Sequence, residues 1–167
     1  MRWKKLAFHH LDRPLFLGVS IALATVSASS ASPVSKTIRV EAVRLEYLEW
    51  GGKGDALVFV PGECETSHVF SDIAPAFSDR YRVLSLTPRG CGASVKAGGG
   101  YDLDMQLRDL RGFLDALDID CAILADHSSG AGKITRFARM YPSRVDRLVL
   151  FDTVYSFIAP GLEAHMD

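Results

Sequence analysis

The sequence lacks the signatures of several large classes of binding protein. Its 167 residues carry 19 basic and 20 acidic side chains, and no basic cluster occurs after the first few residues. This balance gives no support to nucleic-acid binding. Neither Gly-x-Gly-x-x-Gly nor Gly-x-x-x-x-Gly-Lys stands where a phosphate loop should be, which argues against a nucleotide-binding Rossmann domain or P-loop. Cys64 and His68 alone supply too few ligands for a structural zinc site, so we expect no metal.

Long apolar runs are also absent, except near the amino terminus. Three basic side chains lie among the first five residues, an apolar stretch covers 15–27, and small residues follow. This order predicts a secretory signal peptide over 1–31 and an exported protein, periplasmic or secreted, with its domain at 32–167. A membrane anchor is the alternative, but the stretch is short for a bilayer span. Cleavage would remove four basic and one acidic side chain, so the formal charge would change from −1 to −4.

The remainder of the chain alternates predicted strands and helices. Two pieces within 38–50 alternate apolar and polar residues, as half-buried strands do. A continuous apolar run ended by turn residues, typical of a strand buried on both faces, lies at 56–60, and three further buried strands are predicted at 81–86, 121–125 and 147–151. Helical segments are predicted at 67–77, at 103–117 and after Ser128. This order predicts an α/β fold with a mostly parallel sheet and helices on both faces.

Ser128 is the candidate nucleophile. It lies in "ILADHSSGAGKIT", between a predicted buried strand and a helix, with small residues around it. A sharp strand–turn–helix connection of this kind exposes a serine hydroxyl above the sheet. A developing oxyanion needs two donors, and the backbone N–H groups of Ser129 and Glu63 would lie at the same edge of the sheet.

Four stretches give the chain a resemblance to the α/β-hydrolase superfamily over residues 40–155: "LEYLEWGGKGDALVFVPG", "FSDIAPAFSDRYRVLSLTPRGCGAS", "GYDLDMQLRDLRGFLDALDI" and "DHSSGAGKITRFARMYPSRVDRLVLFD". Their order resembles the amino-terminal part of that fold, truncated before its last strands. The resemblance implies a cofactor-free Ser–His–acid hydrolase of esters or related carbonyl substrates, which are small molecules. It also implies that Ser128 is the nucleophile, with the Glu63 and Ser129 backbones as oxyanion donors.

Two residues depart from the family pattern. Asp126 stands where the first glycine of Gly-x-Ser-x-Gly is usual, and Pro61 precedes Gly62 where the family has His-Gly. A carboxylate two residues before the nucleophile would crowd the turn and oppose negative charge that develops nearby. Asp126 is therefore either a tolerated variation or a mark of lost activity.

Partners for Ser128 are scarce in the sequence. His127 precedes the nucleophile directly, His68 lies in or after the oxyanion loop, and His165 lies in the tail. Asp152 is a candidate acid, with a helix cap as the alternative. The resemblance implies that the usual acid and histidine follow later strands. We therefore expect an incomplete domain that is weakly active or inactive as this chain.

Other interpretations remain open at this point. The chain could be a non-catalytic or degenerate hydrolase-like module, or a cofactor-free dehydrogenase or oxygenase on the same fold. The cysteines are odd in number. Cys64 and Cys91 would lie in loops at one end of the sheet, where a disulfide could join them, whereas Cys121 would be an inert core thiol.

Overall fold

The sheet is built from a hairpin followed by alternating strands and helical segments. In the computed structural model, residues 32–96 and 98–151 are described. The strands are β1 (Val34–Val40), β2 (Val43–Gly51), β3 (Ala56–Val60), β4 (Arg82–Leu86), β5 (Ala122–Asp126) and β6 (Val145–Val149). The two α-helices are α1 (Leu103–Ala116) and α2 (Gly130–Met140). Short 3₁₀ helices cover Ser67–Phe70, Ala74–Phe77 and Pro142–Arg144.

The strand order is β1-β2-β4-β3-β5-β6. The hairpin strands β1 and β2 are antiparallel, β2 is antiparallel to β4, and the other neighbouring pairs are parallel. The predicted α/β architecture is therefore confirmed. The carboxyl ends of β3, β4 and β5 lie at one edge, so the three loops that follow them converge there.

Alternate residues of the central strands feed two separate cores. In β3, Ala56, Val58 and Val60 pack on the side of α1 and α2, while Leu57 and Phe59 pack on the side of the 3₁₀ helices. All five are buried, which explains why the strand has no polar positions.

The amphipathic helix α1 begins with a side-chain cap. The Asp102 carboxylate accepts a hydrogen bond from Met105 N, which satisfies one free amide of the first turn. The helix then buries Leu107, Leu110 and Leu114 against the sheet, as the leucine spacing predicts.

Three expectations need correction. The helix predicted over 67–77 is two 3₁₀ segments, because Pro75 cannot occupy the interior of one α-helix. The strand predicted over 147–151 covers Val145–Val149 and is a largely exposed sheet edge rather than a strand buried on both faces. Cys121 is exposed rather than part of the core.

Cys64 and Cys91 are free thiols in the structure. No helix within the described ranges is long and apolar enough to cross a membrane. The predicted signal peptide lies outside the described residues, and its assignment stays a prediction.

Candidate active site

The turn after β5 has the geometry of a nucleophile elbow. Ser128 adopts a left-handed backbone conformation with φ of 55°, which costs a non-glycine residue about 1–3 kcal/mol. The chain reverses over a Gly130 N–H to His127 C=O hydrogen bond of 3.0 Å and enters α2. A Cβ atom at Gly130 would lie 2.5 Å from the Val60 carbonyl oxygen, so only glycine fits this close crossing of β3.

The loop after β3 lies directly beside the elbow. The Glu63 N–H donates a hydrogen bond of 2.7 Å to Ser129 Oγ. The two residues predicted as oxyanion donors thus lie next to each other. The Ser129 hydroxyl accepts the hydrogen bond that the Glu63 N–H would otherwise offer to a substrate. A substrate oxygen could use this N–H once the hydroxyl rotates away.

Asp126 is accommodated inside the elbow. Its side chain is fully buried, and Oδ1 accepts a 3.0 Å hydrogen bond from Phe151 N. Oδ2 finds no partner within the described residues. Burial raises the pKa of this carboxyl, although hydrogen bonding from Phe151 N–H opposes the shift. The protonated form is therefore more favoured than at an exposed aspartate, which reduces the expected conflict with an oxyanion.

The segment that follows β6 is hydrogen-bonded to the elbow. Phe151 N–H donates to Asp126, while Phe151 C=O accepts a 3.3 Å hydrogen bond from Ser128 N. Asp152 follows immediately in the sequence, although it lies outside the described residues, as does His165. The acid role of Asp152 stays a prediction.

Neither described histidine forms a side-chain hydrogen bond with Ser128. His127 Nδ1 lies 3.0 Å from Glu65 Oε2, and His68 Nε2 lies 3.8 Å from Glu46 Oε1. Glu65 also accepts the Gly62 N–H at 2.8 Å. Burial alone would raise the pKa of Glu65, but its hydrogen bonds with His127 and Gly62 outweigh burial and lower it. His127 therefore helps to hold the oxyanion loop.

Sequence reasoning missed Lys133. It lies on the sheet-facing side of α2 with 7% of its surface exposed, and Nζ donates to the carbonyl oxygens of Pro61 at 3.3 Å and Gly62 at 3.5 Å. Burial lowers the pKa of this amine, although the negative charge of nearby Glu63 and Glu65 opposes the shift. The signal was present in the spacing, because Lys133 shares a helix face with Gly130 and Phe137.

The loop after β4 is held by buried polar pairs. Arg89 Nε and Nη2 each donate a 2.5 Å hydrogen bond to the carboxylate of Asp109 on α1. Ser94 Oγ donates to Thr87 C=O at 2.8 Å and accepts from Glu46 N at 2.9 Å. Arg89 and Ser94 therefore stabilise this loop through hydrogen bonds.

The fold and this site together define the class of protein. The family model described as alpha/beta hydrolase fold matches residues 55–165. The chain therefore belongs to the α/β-hydrolase family, as the sequence resemblance indicated.

Relatives with different activities are similar to the chain. It is 32% identical to N-formylmaleamate deformylase of Pseudomonas putida over 77% of its own length and 47% of that protein's. It is 30% identical to epoxide hydrolase 1 of Caenorhabditis elegans, covering 69% of this chain and 29% of the relative. A crystal structure of an epoxide hydrolase from Bacillus megaterium superposes with a TM-score of 0.67 at 30% identity, covering 71% of this chain and 42% of that one. The chain thus spans less than half the length of these relatives.

Proposed function

We propose that the chain carries the nucleophile and the oxyanion hole of a serine hydrolase acting on small ester or related carbonyl substrates. The observation that supports this most is the left-handed Ser128 just before α2, whose neighbour Ser129 accepts a hydrogen bond from the Glu63 N–H. Family membership supports hydrolysis in general. The relatives' names, which include a deformylase and epoxide hydrolases, do not select one substrate.

The proposed reaction begins with attack of Ser128 Oγ on a carbonyl carbon. The hydroxyl proton passes to a base, the Oγ–C bond forms, and the carbonyl oxygen gains negative charge. The N–H groups of Glu63 and Ser129 would donate to that oxygen. Departure of the leaving group gives an acyl-serine, and water then releases the acid. Neither described histidine reaches Ser128, so the proposal assigns the base to a group outside residues 32–96 and 98–151.

Base rescue tests the role of Ser128. The purified chain is treated with a fluorophosphonate probe, with and without imidazole, and adducts are located by mass spectrometry. We expect little or no labelling without imidazole, because a serine hydroxyl is a weak nucleophile without a base. With imidazole, we expect an adduct on Ser128 that is absent from Ser128→Ala.

Ser143→Ala is the matched control, since Ser143 is an exposed serine away from the elbow. Labelling that persists in Ser128→Ala, or none at all with imidazole, would overturn the proposal. The second outcome would favour a non-catalytic hydrolase-like module. That candidate has support of its own, because Asp126 occupies the elbow and the Ser129 hydroxyl occupies the Glu63 N–H.

We also propose that the protein is exported after cleavage near Ala31. The support is the three-part pattern of the first 31 residues. Expression of the whole chain in a bacterium, followed by amino-terminal sequencing of the periplasmic fraction, tests this. A mature chain that begins near Ser32 is expected, and an uncleaved cytoplasmic chain would contradict export.

A further inference from the structure

A buried ammonium lies behind the candidate oxyanion hole. Lys133 Nζ contacts the carbonyl oxygens of Pro61 and Gly62, and no carboxylate within the described ranges forms a salt bridge with it. Burying a cation without a paired anion is unfavourable. The proposed acyl-transfer steps do not use Lys133, so its burial calls for an explanation.

The two ends of one peptide group give that explanation. The Gly62 carbonyl and the Glu63 N–H belong to the same planar amide, so a change in electron density at the oxygen is transmitted to the nitrogen. A cationic donor on the carbonyl oxygen makes the N–H a stronger hydrogen-bond donor, because linked hydrogen bonds polarise one another. Lys133 lies at the oxygen end, at 3.5 Å, and Ser129 Oγ lies at the nitrogen end, at 2.7 Å.

We propose that Lys133 is a positioning residue that orients and polarises the Gly62–Glu63 peptide, so that the Glu63 N–H binds an oxyanion more strongly. The substrate group recognised is the oxygen of a tetrahedral acyl adduct on Ser128. This inference rests on the proposed function of Ser128 and Glu63.

The same loop is anchored from its other side. Gly62 N–H donates to Glu65, and Glu65 pairs with His127. The Gly62 backbone is therefore held at its nitrogen by an acceptor and at its oxygen by Lys133. Two opposed anchors fix the direction of the Glu63 N–H before substrate arrives, and preorganised donors of this kind stabilise developing charge.

Charged and titratable groups around Lys133 determine the pH range of the effect. Glu63, Cys64 and Glu65 lie on the oxyanion loop, and Cys91 lies on the loop after β4. The Arg89–Asp109 pair lines a pocket together with Lys133. Because burial lowers the pKa of Lys133 below its ordinary value, polarisation by the charged ammonium is present at low pH. It is lost as the pH rises through that lowered pKa.

The Glu63 amide is the direct readout. In the 167-residue chain labelled with ¹⁵N and ¹³C, Lys133→Met should move the Glu63 amide proton upfield, whereas Lys133→Arg should retain most of its position. In the unmodified chain, the Glu63 amide should titrate together with the Lys133 ¹³Cε signal. Lys53→Met is the control, since Lys53 is an exposed lysine in the turn before β3, and it should leave the Glu63 amide unchanged.

If Lys133→Met fails to fold, the titration of the unmodified chain still decides the question. A Glu63 amide that does not move through the Lys133 titration would overturn the proposal. So would a folded Lys133→Met variant with an unchanged Glu63 signal.

A rate measurement separates this inference from the proposed function. With imidazole present, fluorophosphonate labelling of Ser128 should be about tenfold slower in Lys133→Met, a smaller loss than removal of a whole oxyanion donor. An unchanged labelling rate would overturn the catalytic part of the inference. If the Glu63 amide responds to Lys133 but Ser128 is never labelled, the proposed function fails while the polarised peptide stands.

Discussion

The two faces of the sheet differ in how completely they are covered. On one face, α1 and α2 bury a large core that includes Leu107, Phe113 and Phe137. On the other face, two short 3₁₀ segments cover a smaller core around Phe59 and Phe70. Towards β6 that second face opens into an apolar groove, lined by Leu57, Phe59, Phe77, Tyr81, Ile123, Ala125, Arg147, Val149 and Phe151.

The helix-covered face contributes more to the stability of the site, and the other face is more exposed. The helix-covered face also supplies the side chains that hold the site, because Lys133 and Asp109 reach the active-site loops from α2 and α1. The groove and the β6 edge are more open, and Leu150 and Phe151 remain exposed there although the Phe151 backbone hydrogen-bonds the elbow. We therefore expect substitutions on the helix-covered face to have larger effects on folding than equivalent ones on the other face.

Removing one aromatic ring from each face gives the largest contrast. Phe113 is fully buried and packs edge-on against Tyr47, with ring centroids 5.4 Å apart, whereas Phe77 is half-buried. Phe113→Ala should lower the free energy of unfolding by about 3–5 kcal/mol, and Phe77→Ala by less than about 2 kcal/mol. Urea denaturation followed by circular dichroism measures both. Equal losses would show that the 3₁₀ face is as tightly packed as the helix face.

Breaking the buried Arg89–Asp109 ion pair on the helix-covered face should give the next largest loss of stability. Arg89→Ala leaves the Asp109 carboxylate buried without its partner, which should cost about 3 kcal/mol of unfolding free energy. The exposed Arg136–Asp104 pair, at 2.8 Å, is the matched control, and Arg136→Ala should change stability by less than about 1 kcal/mol.

The double substitution Arg89→Met with Asp109→Leu should recover much of the loss, since it removes both charges together. A loss from Arg89→Ala no larger than that from Arg136→Ala would mean that water reaches Asp109 and that this face is open to solvent there.

Several of these features were readable from local sequence, and others were not. The leucine spacing predicts α1, and the uninterrupted run at 56–60 predicts β3, because both depend on neighbours in the chain. The small residues around Ser128 likewise predict the elbow. Contacts between distant residues gave no such signal: the hydrogen bond between Phe151 N and Asp126 joins residues 25 apart. The burial of Lys133 was missed because a lysine is read as polar whatever face it occupies.

Ser128 lies in the turn after β5, at the edge of the sheet, and its backbone strain should be measurable. Ser128→Gly removes the Cβ atom that makes a φ of 55° unfavourable, so it should raise the unfolding free energy by about 1 kcal/mol. Ser128→Ala keeps the Cβ atom and should give no such gain. Thermal and urea unfolding of the two variants provide the comparison. A gain shared by both would mean that the hydroxyl, and not the backbone, is the source of the strain.

Replacement of Asp126 should have the smallest effect on the unfolding free energy. The effect should appear as a change in its pH dependence. Burial raises its pKa above the ordinary value of 3.8, so the folded state holds this proton more tightly than the unfolded chain. The stability from Asp126 is therefore present at low pH and falls as the pH rises through the raised pKa. Asp126→Asn mimics the protonated side chain, keeps an acceptor for Phe151 N–H, and should remove this part of the pH dependence.

The difference between the unmodified chain and Asp126→Asn isolates the carboxyl, because every other titratable group is the same in both. Urea unfolding of both chains at several pH values from about 4 to 8 measures that difference. This range begins near the ordinary pKa of aspartate and extends upward, the direction in which burial shifts it. A difference that does not change with pH would mean that Asp126 is no more buried than an ordinary surface aspartate. The elbow would then hold β6 through the Ser128 N–H to Phe151 C=O bond without help from the carboxyl, and the open face would be less firmly tied to the helix-covered one.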